Sequence, residues 1–313
     1  MPRYPIAVIG PGALGLVFAQ RLSRRMRVAL VARSEGRARE LRAGVTIDDA
    51  AFIPDVHAAA SPPAADWVLV LVKAADTRAA ARIAARMSPR GVLSLQNGWI
   101  EELLREPLAG VLAAQGVTTE AAWREGSEVR HTGAGDTLAP PGFEDLVGLL
   151  RGAGFSARIE PRIVEARMRK LLVSTCINPL TALYRIPNGM ACEPPHAAPF
   201  TRLAHEGAAV LRAAGVDIDD RAALELASGV ARATARNRSS MLQDVEAGRE
   251  TEAQFLTGAL LEMATAHDVD APTHRALYRF LRKEHSAEQA MLALEARSSQ
   301  DGLADVGRRR EGS

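Results

Sequence analysis

The sequence predicts an α/β domain with a parallel sheet, followed by an all-α domain. Up to about residue 161, apolar strand-like runs alternate with helix-like segments, which is typical of β-α-β units. Beyond Pro161 the apolar residues recur with helical spacing almost throughout. The length of 313 residues suits two domains. We therefore expect one domain over residues 1–161, a second over 162–296, and a disordered tail over 297–313.

A glycine-rich loop near the N-terminus indicates a Rossmann-type dinucleotide site. An apolar run ends at Ile9, the loop GPGALG follows at residues 10–15, and then come a helix-like segment and a second apolar run, RVALVAR. In this β-α-β context Gly10 permits the turn, Gly12 lets the backbone approach a pyrophosphate, and Gly15 lets the helix pack closely. The loop residues predicted to bind the cofactor are Gly10, Gly12, Ala13, Leu14 and Gly15.

The end of the second strand favours NADP(H) as the cofactor. Enzymes that prefer NAD usually place an acidic residue there, which binds the 2′-hydroxyl of the ribose. This chain has Arg33 at that position, with Arg37 one helical turn further on. Since a guanidinium group pairs well with phosphate, Arg33 is predicted to bind a 2′-phosphate.

Two further apolar runs, at residues 67–73 and 92–98, read as buried parallel strands that carry polar residues at their carboxyl ends. Lys73 ends the first run and Asn97 falls at the end of the second. Ligands of open α/β sheets bind at that edge, so both side chains are candidates for cofactor contacts. Residues 111–123 and 127–140 resemble an antiparallel region that closes the domain.

The first segment of the helical half carries one polar stripe on an otherwise apolar helix. At about 100° per residue, Lys170, Ser174, Asn178 and Thr181 fall within one sector, and apolar residues occupy the other directions. We expect the helix to be mainly buried, and Pro179 to kink or interrupt it. Only three of the 39 Lys plus Arg residues are lysines, so a lysine within this helix is unusual for the chain.

Later turns and helix starts supply the remaining polar candidates. Asn188 lies at the tip of a turn, and Gly248 is expected to separate two helices, with Glu252 near the start of the second. An acid in the first turn of a helix is also favoured by the helix dipole alone. Ser239 and Ser240 fit helix caps equally well.

Composition argues against several classes of function. The net charge is +2 and aromatic residues make up 4%, which favours neither nucleic acid nor an anionic membrane as a partner. Cys176 and Cys192 are the only cysteines, so the sequence predicts no disulfide framework and no metal site. No run approaches the roughly 20 apolar residues of a membrane span, and a cytoplasmic location is expected. A homodimer is one option that the sequence leaves open.

Several motifs together resemble the ketopantoate reductase family, also called 2-dehydropantoate 2-reductase, from about residue 5 to residue 290. The segments that carry the resemblance are IGPGALG, VKAADT, LQNG, RKLLVSTCINPLTAL, PNG and NRSSMLQDVEAGRETEAQF. The resemblance implies a helical domain like the C-terminal domain of 6-phosphogluconate dehydrogenase. It also implies an NADPH-dependent reduction of 2-dehydropantoate to (R)-pantoate, on the route to pantothenate and coenzyme A.

The same resemblance implies roles for individual residues. Lys170 matches the general acid, and Glu252 matches the carboxylate near that lysine and the substrate hydroxyl. Residues that match cofactor contacts are Lys73 and Asn97, and those that match substrate contacts are Asn178, Asn188 and Ser240. The family often has Asn where this chain has Ser174, one turn beyond the lysine, so the identity of the 2-oxo acid stays open.

The choice of lysine at position 170 has a chemical reason within this hypothesis. Reduction of a ketone places negative charge on the oxygen, which must then take up a proton. Burial can lower the pKa of a lysine enough for it to donate, whereas arginine effectively never does. Two alternatives remain: a paralogous reductase of another branched 2-oxo acid, and a non-catalytic module that senses NADPH, which would have no use for Lys170 and Glu252.

Overall fold

The structure is a computed structural model that describes residues 3–295 of the chain. Its contacts divide the chain into two compact units, of which one ends at Arg167 and the other begins at Met168. The domain boundary after residue 161, inferred from the sequence, stays a prediction. The predicted tail over residues 297–313 lies outside the described residues.

The described residues contain thirteen strands and twelve α-helices, of which eleven are labelled α1 to α11. The strands are β1 Tyr4–Ile9, β2 Val28–Ala32, β3 Val45–Ile47, β4 Ala50–Phe52, β5 Asp55–Ala58, β6 Ala65–Val70, β7 Gly91–Ser94, β8 Leu112–Gln115, β9 Val117–Thr118, β10 Ala121–Glu125, β11 Glu128–Gly133, β12 Asp136–Ala139 and β13 Ser156–Ile159. The helices are α1 Ala13–Ser23, α2 Glu35–Arg42, α3 Thr77–Ala85, α4 Glu101–Arg105, α5 Glu144–Gly152, α6 Ile163–Tyr184, α7 Ala197–Ala213, α8 Asp220–Ala233, α9 Ser240–Glu246, α10 Ala259–Ala266 and α11 Pro272–Leu281. Residues 287–295 are also helical.

The first unit is built on a six-stranded parallel sheet with the order β5-β2-β1-β6-β7-β8. The strands β1, β2 and β6 are almost wholly buried, because helices cover the sheet and leave no face for polar residues. β1 lies between β2 and β6, so the strand order reverses at β1. Ligands of doubly wound sheets bind at such a reversal, just beyond the carboxyl ends of the strands. The predicted α/β class with a Rossmann-type domain is confirmed.

The structure corrects two strand ends and one strand pairing that the sequence predicted. β6 ends at Val70 and β7 ends at Ser94, so Lys73 and Asn97 lie in the loops that follow rather than at the last strand positions. The prediction of an antiparallel region over residues 111–123 is wrong for β8, which joins the parallel sheet beside β7, whereas β9 and β10 do pair antiparallel, with β12 and β11 respectively. An apolar run does not reveal where pairing stops, since a buried loop can be as apolar as a strand.

Two small sheets complete the first unit. β10 and β11 form an antiparallel hairpin that continues into β3 and β4, and β12 pairs with β9 and β13. One apolar core joins the main sheet to α1 and α5, where Phe18 stacks on Phe155 with ring centroids 4.3 Å apart.

The second unit is helical, as predicted, and its core includes apolar residues of α6, α7, α8 and α11. α6 runs unbroken for 22 residues with Pro179 inside it. Of the two effects predicted for Pro179, the interruption is therefore wrong and the kink stays a prediction. Proline removes one backbone hydrogen bond from a helix interior. Here the neighbouring residues Ile177 and Leu180 are buried in the core, and that packing holds the turn in place.

The chain between α9 and α10 follows the predicted pattern. Gly248 adopts φ +64° after α9, a conformation that glycine reaches without strain. A single π-helical turn, Gln254–Gly258, then leads into α10, and Glu252 lies two residues before it. Among the described helices, none is both long enough and apolar enough to cross a membrane.

Candidate active site

The glycine loop follows β1 at the point where the strand order reverses. Gly10 adopts φ +109°, and a Cβ atom there would lie 2.6 Å from the backbone carbon of Leu71. A Cβ atom on Gly15 would collide with the carbonyl oxygen of Gly10. Both glycines are therefore required by close backbone approaches, that of Gly10 to the chain after β6 and that of Gly15 within the β1–α1 turn.

Gly12 differs, because the space beside it is open. A Cβ atom there would have no heavy atom within 4 Å among the described residues. Gly12 is the N-cap of α1, and glycine has no side chain that could cap the helix. The first turn holds no acidic residue, and within residues 3–295 no side chain caps the first N–H groups. Open space beside unsatisfied N–H groups at a helix N-terminus fits the pyrophosphate of a dinucleotide.

Arg33 directly follows β2, the neighbour of β1, and its side chain is exposed. Ser34 caps α2 by accepting a hydrogen bond from the backbone N–H of Arg37 at 3.2 Å. The guanidinium group of Arg37 also pairs with Glu40, with Nη1 and Oε2 2.7 Å apart. The end of β2 therefore presents two arginines, at positions 33 and 37, beside the glycine loop.

Two glutamines that the sequence analysis missed fix the loops of Lys73 and Asn97. Gln96 is buried, and its Nε2 donates to the carbonyl oxygen of Val72 and to Thr77 Oγ1, both at 2.9 Å. Gln115 Nε2 donates to the carbonyl oxygen of Gly98 at 2.6 Å. Buried amides thus hold the neighbours of Lys73 and Asn97. The available signal in the sequence was a glutamine within or just after an apolar run.

In the second unit, α6 presents the predicted polar stripe, formed by Lys170, Ser174, Asn178 and Thr181. The first three side chains are half-buried, whereas Thr181 is fully buried. The opposite sides of the helix carry fully buried apolar residues such as Leu172, in agreement with the sequence analysis.

The amine of Lys170 lies in an environment that favours proton donation. Burial lowers its pKa from the usual 10.5 to about 8, and the negative charge of Glu252 opposes that shift. Lys170 keeps some exposed surface, but the protein around it still makes the ammonium form less stable than it is in water. The structure therefore brings Lys170 and Glu252, which are 82 positions apart in the sequence, into electrostatic contact.

A hydroxyl pair connects the polar stripe to the start of α9. Thr181 Oγ1 donates to the carbonyl oxygen of Asn178 at 3.0 Å and lies 2.7 Å from Ser239 Oγ. Ser239 is the N-cap of α9 and accepts from the backbone N–H of Leu242 at 3.0 Å. Of the two serines considered as caps, Ser239 therefore caps the helix, and Ser240 begins it with an exposed side chain.

Asn188 is buried and its amide is oriented by a threonine. Asn188 Nδ2 donates to Thr234 Oγ1 at 3.0 Å, and that hydroxyl donates in turn to the carbonyl oxygen of Val230 at 2.8 Å. Within residues 3–295 the Oδ1 atom of Asn188 has no hydrogen-bond partner. A buried acceptor without a donor is costly, so this oxygen is a candidate contact for a donor group on a ligand.

The two units therefore carry different sets of candidate residues. The first presents a glycine loop, basic residues and fixed loops at the carboxyl edge of a parallel sheet, which suits a dinucleotide. The second presents an amine of lowered pKa, a carboxylate, hydroxyls and amides, which suit a small polar substrate. No group of three or more His, Cys, Asp or Glu side chains that could hold a metal ion occurs in the described part of the chain.

Comparison with protein families gives matches across both units. The model described as "Ketopantoate reductase PanE/ApbA" matches residues 6–142, and the one described as "Ketopantoate reductase PanE/ApbA C terminal" matches residues 162–285. Together the two matches cover well over half of the chain.

Individual proteins support the same assignment. A 2-dehydropantoate 2-reductase of Archaeoglobus fulgidus is 36% identical over 237 residues, which cover 72% of this chain and 79% of that protein. The corresponding protein of Halobacterium salinarum is 35% identical over 237 residues, 70% of this chain and 75% of its own length. Among solved structures, a PanE/ApbA family ketopantoate reductase from Ralstonia eutropha superimposes with a TM-score of 0.79 at 27% identity, covering 91% of this chain and 99% of the other.

Proposed function

We propose that this chain, which belongs to the ketopantoate reductase family and is an oxidoreductase of the 2-dehydropantoate 2-reductase type, has the activity typical of that family. In this proposal it uses NADPH to reduce 2-dehydropantoate to (R)-pantoate. The observation that carries the proposal is the half-buried amine of Lys170, with a pKa of about 8 and the carboxylate of Glu252 beside it. An amine with that pKa is largely protonated at neutral pH and can still release its proton.

The reaction requires one hydride and one proton. NADPH, when bound, supplies the hydride to the keto carbon. The Nζ atom of Lys170 donates its proton to the keto oxygen as negative charge develops there, and Lys170 recovers a proton from solvent. Before transfer, the same ammonium group polarises the carbonyl and stabilises the charge that forms on its oxygen.

The other residues of the second unit orient the groups that react. Glu252 keeps Lys170 protonated until transfer, because a nearby negative charge favours the ammonium form. Asn178 and Ser174 share the polar stripe with the lysine and contact the substrate, with Ser240 at its carboxylate. The unsatisfied Oδ1 of Asn188 suits a substrate that brings a hydroxyl donor.

The residues of the first unit suit NADP(H). Gly12 and the start of α1 hold the pyrophosphate, and Ala13 and Leu14 supply backbone N–H groups at the same place. Arg33 pairs with the 2′-phosphate, since no carboxylate stands at the end of β2 to select a free ribose. Lys73 and Asn97 contact the nicotinamide and its ribose.

Replacement of Lys170 tests the assigned acid. In Lys170→Ala we expect kcat for NADPH oxidation to fall by about 10²–10⁴-fold, the usual contribution of a general acid. Lys170→Arg keeps the charge without a transferable proton, so we expect a comparable loss. NADPH affinity, measured by calorimetry, should stay nearly unchanged in both.

A matched control for this experiment is Lys283→Asn. Lys283 is exposed and has φ +60°, a conformation that asparagine tolerates, so this variant should retain wild-type turnover. If Lys170→Ala turned over normally, the assigned proton donor would be wrong. A chain that bound NADPH but reduced no 2-oxo acid even as wild type would favour the non-catalytic sensor instead.

Ser174 favours a second candidate, a reductase of another branched 2-oxo acid. Its hydroxyl is shorter than the asparagine amide that the family often has there and offers fewer hydrogen bonds. Wild-type kcat/KM should be compared for 2-dehydropantoate and for branched 2-oxo acids without a hydroxyl group. A higher value for 2-dehydropantoate supports the first candidate, and a higher value for the others supports the second.

The homodimer that the sequence leaves open stays a prediction.

A further inference from the structure

Arg124, on strand β10, reaches from the hairpin to the glycine loop. Its Nη1 donates to the carbonyl oxygen of Pro11 at 3.0 Å, and its Nε donates to the carbonyl oxygen of Gly126 at 2.7 Å. Pro11 lies between the two glycines that shape the candidate dinucleotide site. The side chain is half-buried, so its guanidinium group is held against this loop rather than extended into solvent.

The other arginine of the same hairpin has carboxylate partners. Arg130 on β11 pairs with Asp49 at 2.7 Å and with Glu128 at 2.6 Å. For Arg124, by contrast, no ion pair with a carboxylate occurs among residues 3–295, and its two bonds go to neutral carbonyl oxygens. A half-buried guanidinium group with donors to spare and no paired carboxylate suits an anionic ligand.

Arg37 lies near enough to Arg124 for the two positive charges to repel each other. Burial lowers the pKa of Arg124 first, the charge of Arg37 lowers it further, and Glu40 opposes the shift. Glu40 already neutralises one of these two charges, so Arg37 and Arg124 together leave a net positive charge that favours an anionic ligand. Arg37 belongs to the first turn of α2, directly beyond the end of β2.

We propose that Arg124 is a specificity-determining residue that binds, together with Arg33 and Arg37, the phosphate on the 2′-oxygen of the cofactor's adenosine ribose. This inference rests on the NADP(H) part of the proposed function and adds a residue to it from a distant part of the sequence. In such folds the pyrophosphate occupies the start of α1, whereas the ribose 2′-substituent lies beyond the second strand, on the side of Arg37. The hydrogen bond to Pro11 holds the guanidinium group at the boundary between these two places.

The test uses two nucleotides that differ at the 2′-oxygen and need no turnover. Calorimetry gives the affinity of the wild-type chain for adenosine 2′,5′-bisphosphate and for adenosine 5′-diphosphate, and then repeats both titrations with Arg124→Gln. Glutamine can still donate to Pro11 but carries no charge. We expect this variant to lose about 10- to 100-fold in affinity for the 2′-phosphorylated nucleotide, as for other hydrogen bonds to charged groups, and far less for the diphosphate.

Two further variants separate binding from folding. Arg130→Ala removes an arginine of the same hairpin that already has carboxylate partners, so it should leave both affinities nearly unchanged. Arg124→Lys keeps the positive charge but loses the planar pair of donors, so it should retain part of the preference even if the glutamine variant unfolds. Thermal unfolding of each variant shows which of them are folded.

The titrations test both the assignment of Arg124 and the preference for NADP(H). Equal losses for both nucleotides in Arg124→Gln, or no loss for either, would overturn the assignment of Arg124. In the case of a glutamine variant that unfolds, full retention of the 2′-phosphate preference by Arg124→Lys would overturn the need for a bidentate arginine. A wild-type chain without any preference for the 2′-phosphorylated nucleotide would overturn the NADP(H) proposal as well, and this inference with it.

Discussion

The hydroxyl oxygens of Thr181 and Ser239 lie 2.7 Å apart, although the two residues belong to different helices. Thr181 has no exposed surface, and its oxygen also donates to the backbone of Asn178. Ser239 caps α9, whose first residue is Ser240. One short contact therefore fixes two candidate substrate residues, at positions 178 and 240, relative to each other.

Loss of this contact should lower stability. We expect Ser239→Ala to reduce the free energy of unfolding by about 1–2 kcal/mol, because it removes an N-cap and leaves the hydroxyl of Thr181 with one partner fewer. Urea denaturation measures the effect. Ser240→Ala is the matched control, since that side chain is exposed and caps nothing, and its change should stay within about 0.5 kcal/mol. Equal losses in both variants would contradict the assignment of the cap.

The pKa of Lys170 should set the alkaline limb of the pH profile of kcat, that is, the pH above which kcat declines. The acid must be protonated to donate, so kcat should fall as the pH rises through about 8. The charge of Glu252 raises this pKa, and its removal in Glu252→Gln should therefore lower the pKa and move the limb to lower pH. Glu250→Gln, at an exposed neighbouring position, should leave the limb in place. A limb that moved to higher pH in the Glu252 variant would show that the sign of this coupling is wrong.

Arg33 should discriminate between the two nicotinamide cofactors. Arg33→Ala removes a charge-assisted contact to the 2′-phosphate, so the KM for NADPH should rise by about 10- to 100-fold. The KM for NADH should change little, because NADH has no phosphate there. Arg39→Ala, an exposed position on α2, serves as the control. A parallel rise for both cofactors would mean that Arg33 does not contact the 2′-phosphate.

Alanine substitutions in the glycine loop should separate folding from binding. In Gly15→Ala the new methyl group meets the carbonyl oxygen of Gly10, and we expect a loss of about 1–3 kcal/mol or more in the free energy of unfolding. In Gly12→Ala the methyl group enters open space, so the loss should be limited to about 1 kcal/mol from the poorer N-cap, while NADPH affinity falls. Thermal unfolding and calorimetry distinguish the two. Normal NADPH binding by Gly12→Ala would place the pyrophosphate elsewhere.

The periodicity of apolar residues and the spacing of apolar runs were sufficient to predict much of the fold. The alternation of apolar runs predicted the parallel sheet, and helical periodicity beyond Pro161 predicted the helical second unit, including α6. Strand ends were less predictable, because pairing at Val70 and Ser94 stops within apolar runs that continue beyond them. Pro179 does not interrupt α6, because tertiary packing outweighs the loss of one hydrogen bond.

Site residues were predictable where a motif or a face of one helix contains them. The glycine loop and the polar stripe are of this kind. Gln96, Gln115 and Arg124 were not, since their roles depend on which loops the sheet and the hairpin bring together. Arg124 and Pro11 are 113 positions apart, and local sequence patterns do not predict a contact between residues so distant in the chain.

The polar stripe also has an evolutionary consequence. Lys170 and Ser174 project from successive turns of one helix whose far side is anchored in the core. Under the proposed function, an exchange at position 174 would reshape the environment of the substrate without displacing the amine of Lys170. Descendants of such a scaffold would then acquire new substrates through changes at a single turn and keep the same proton donor.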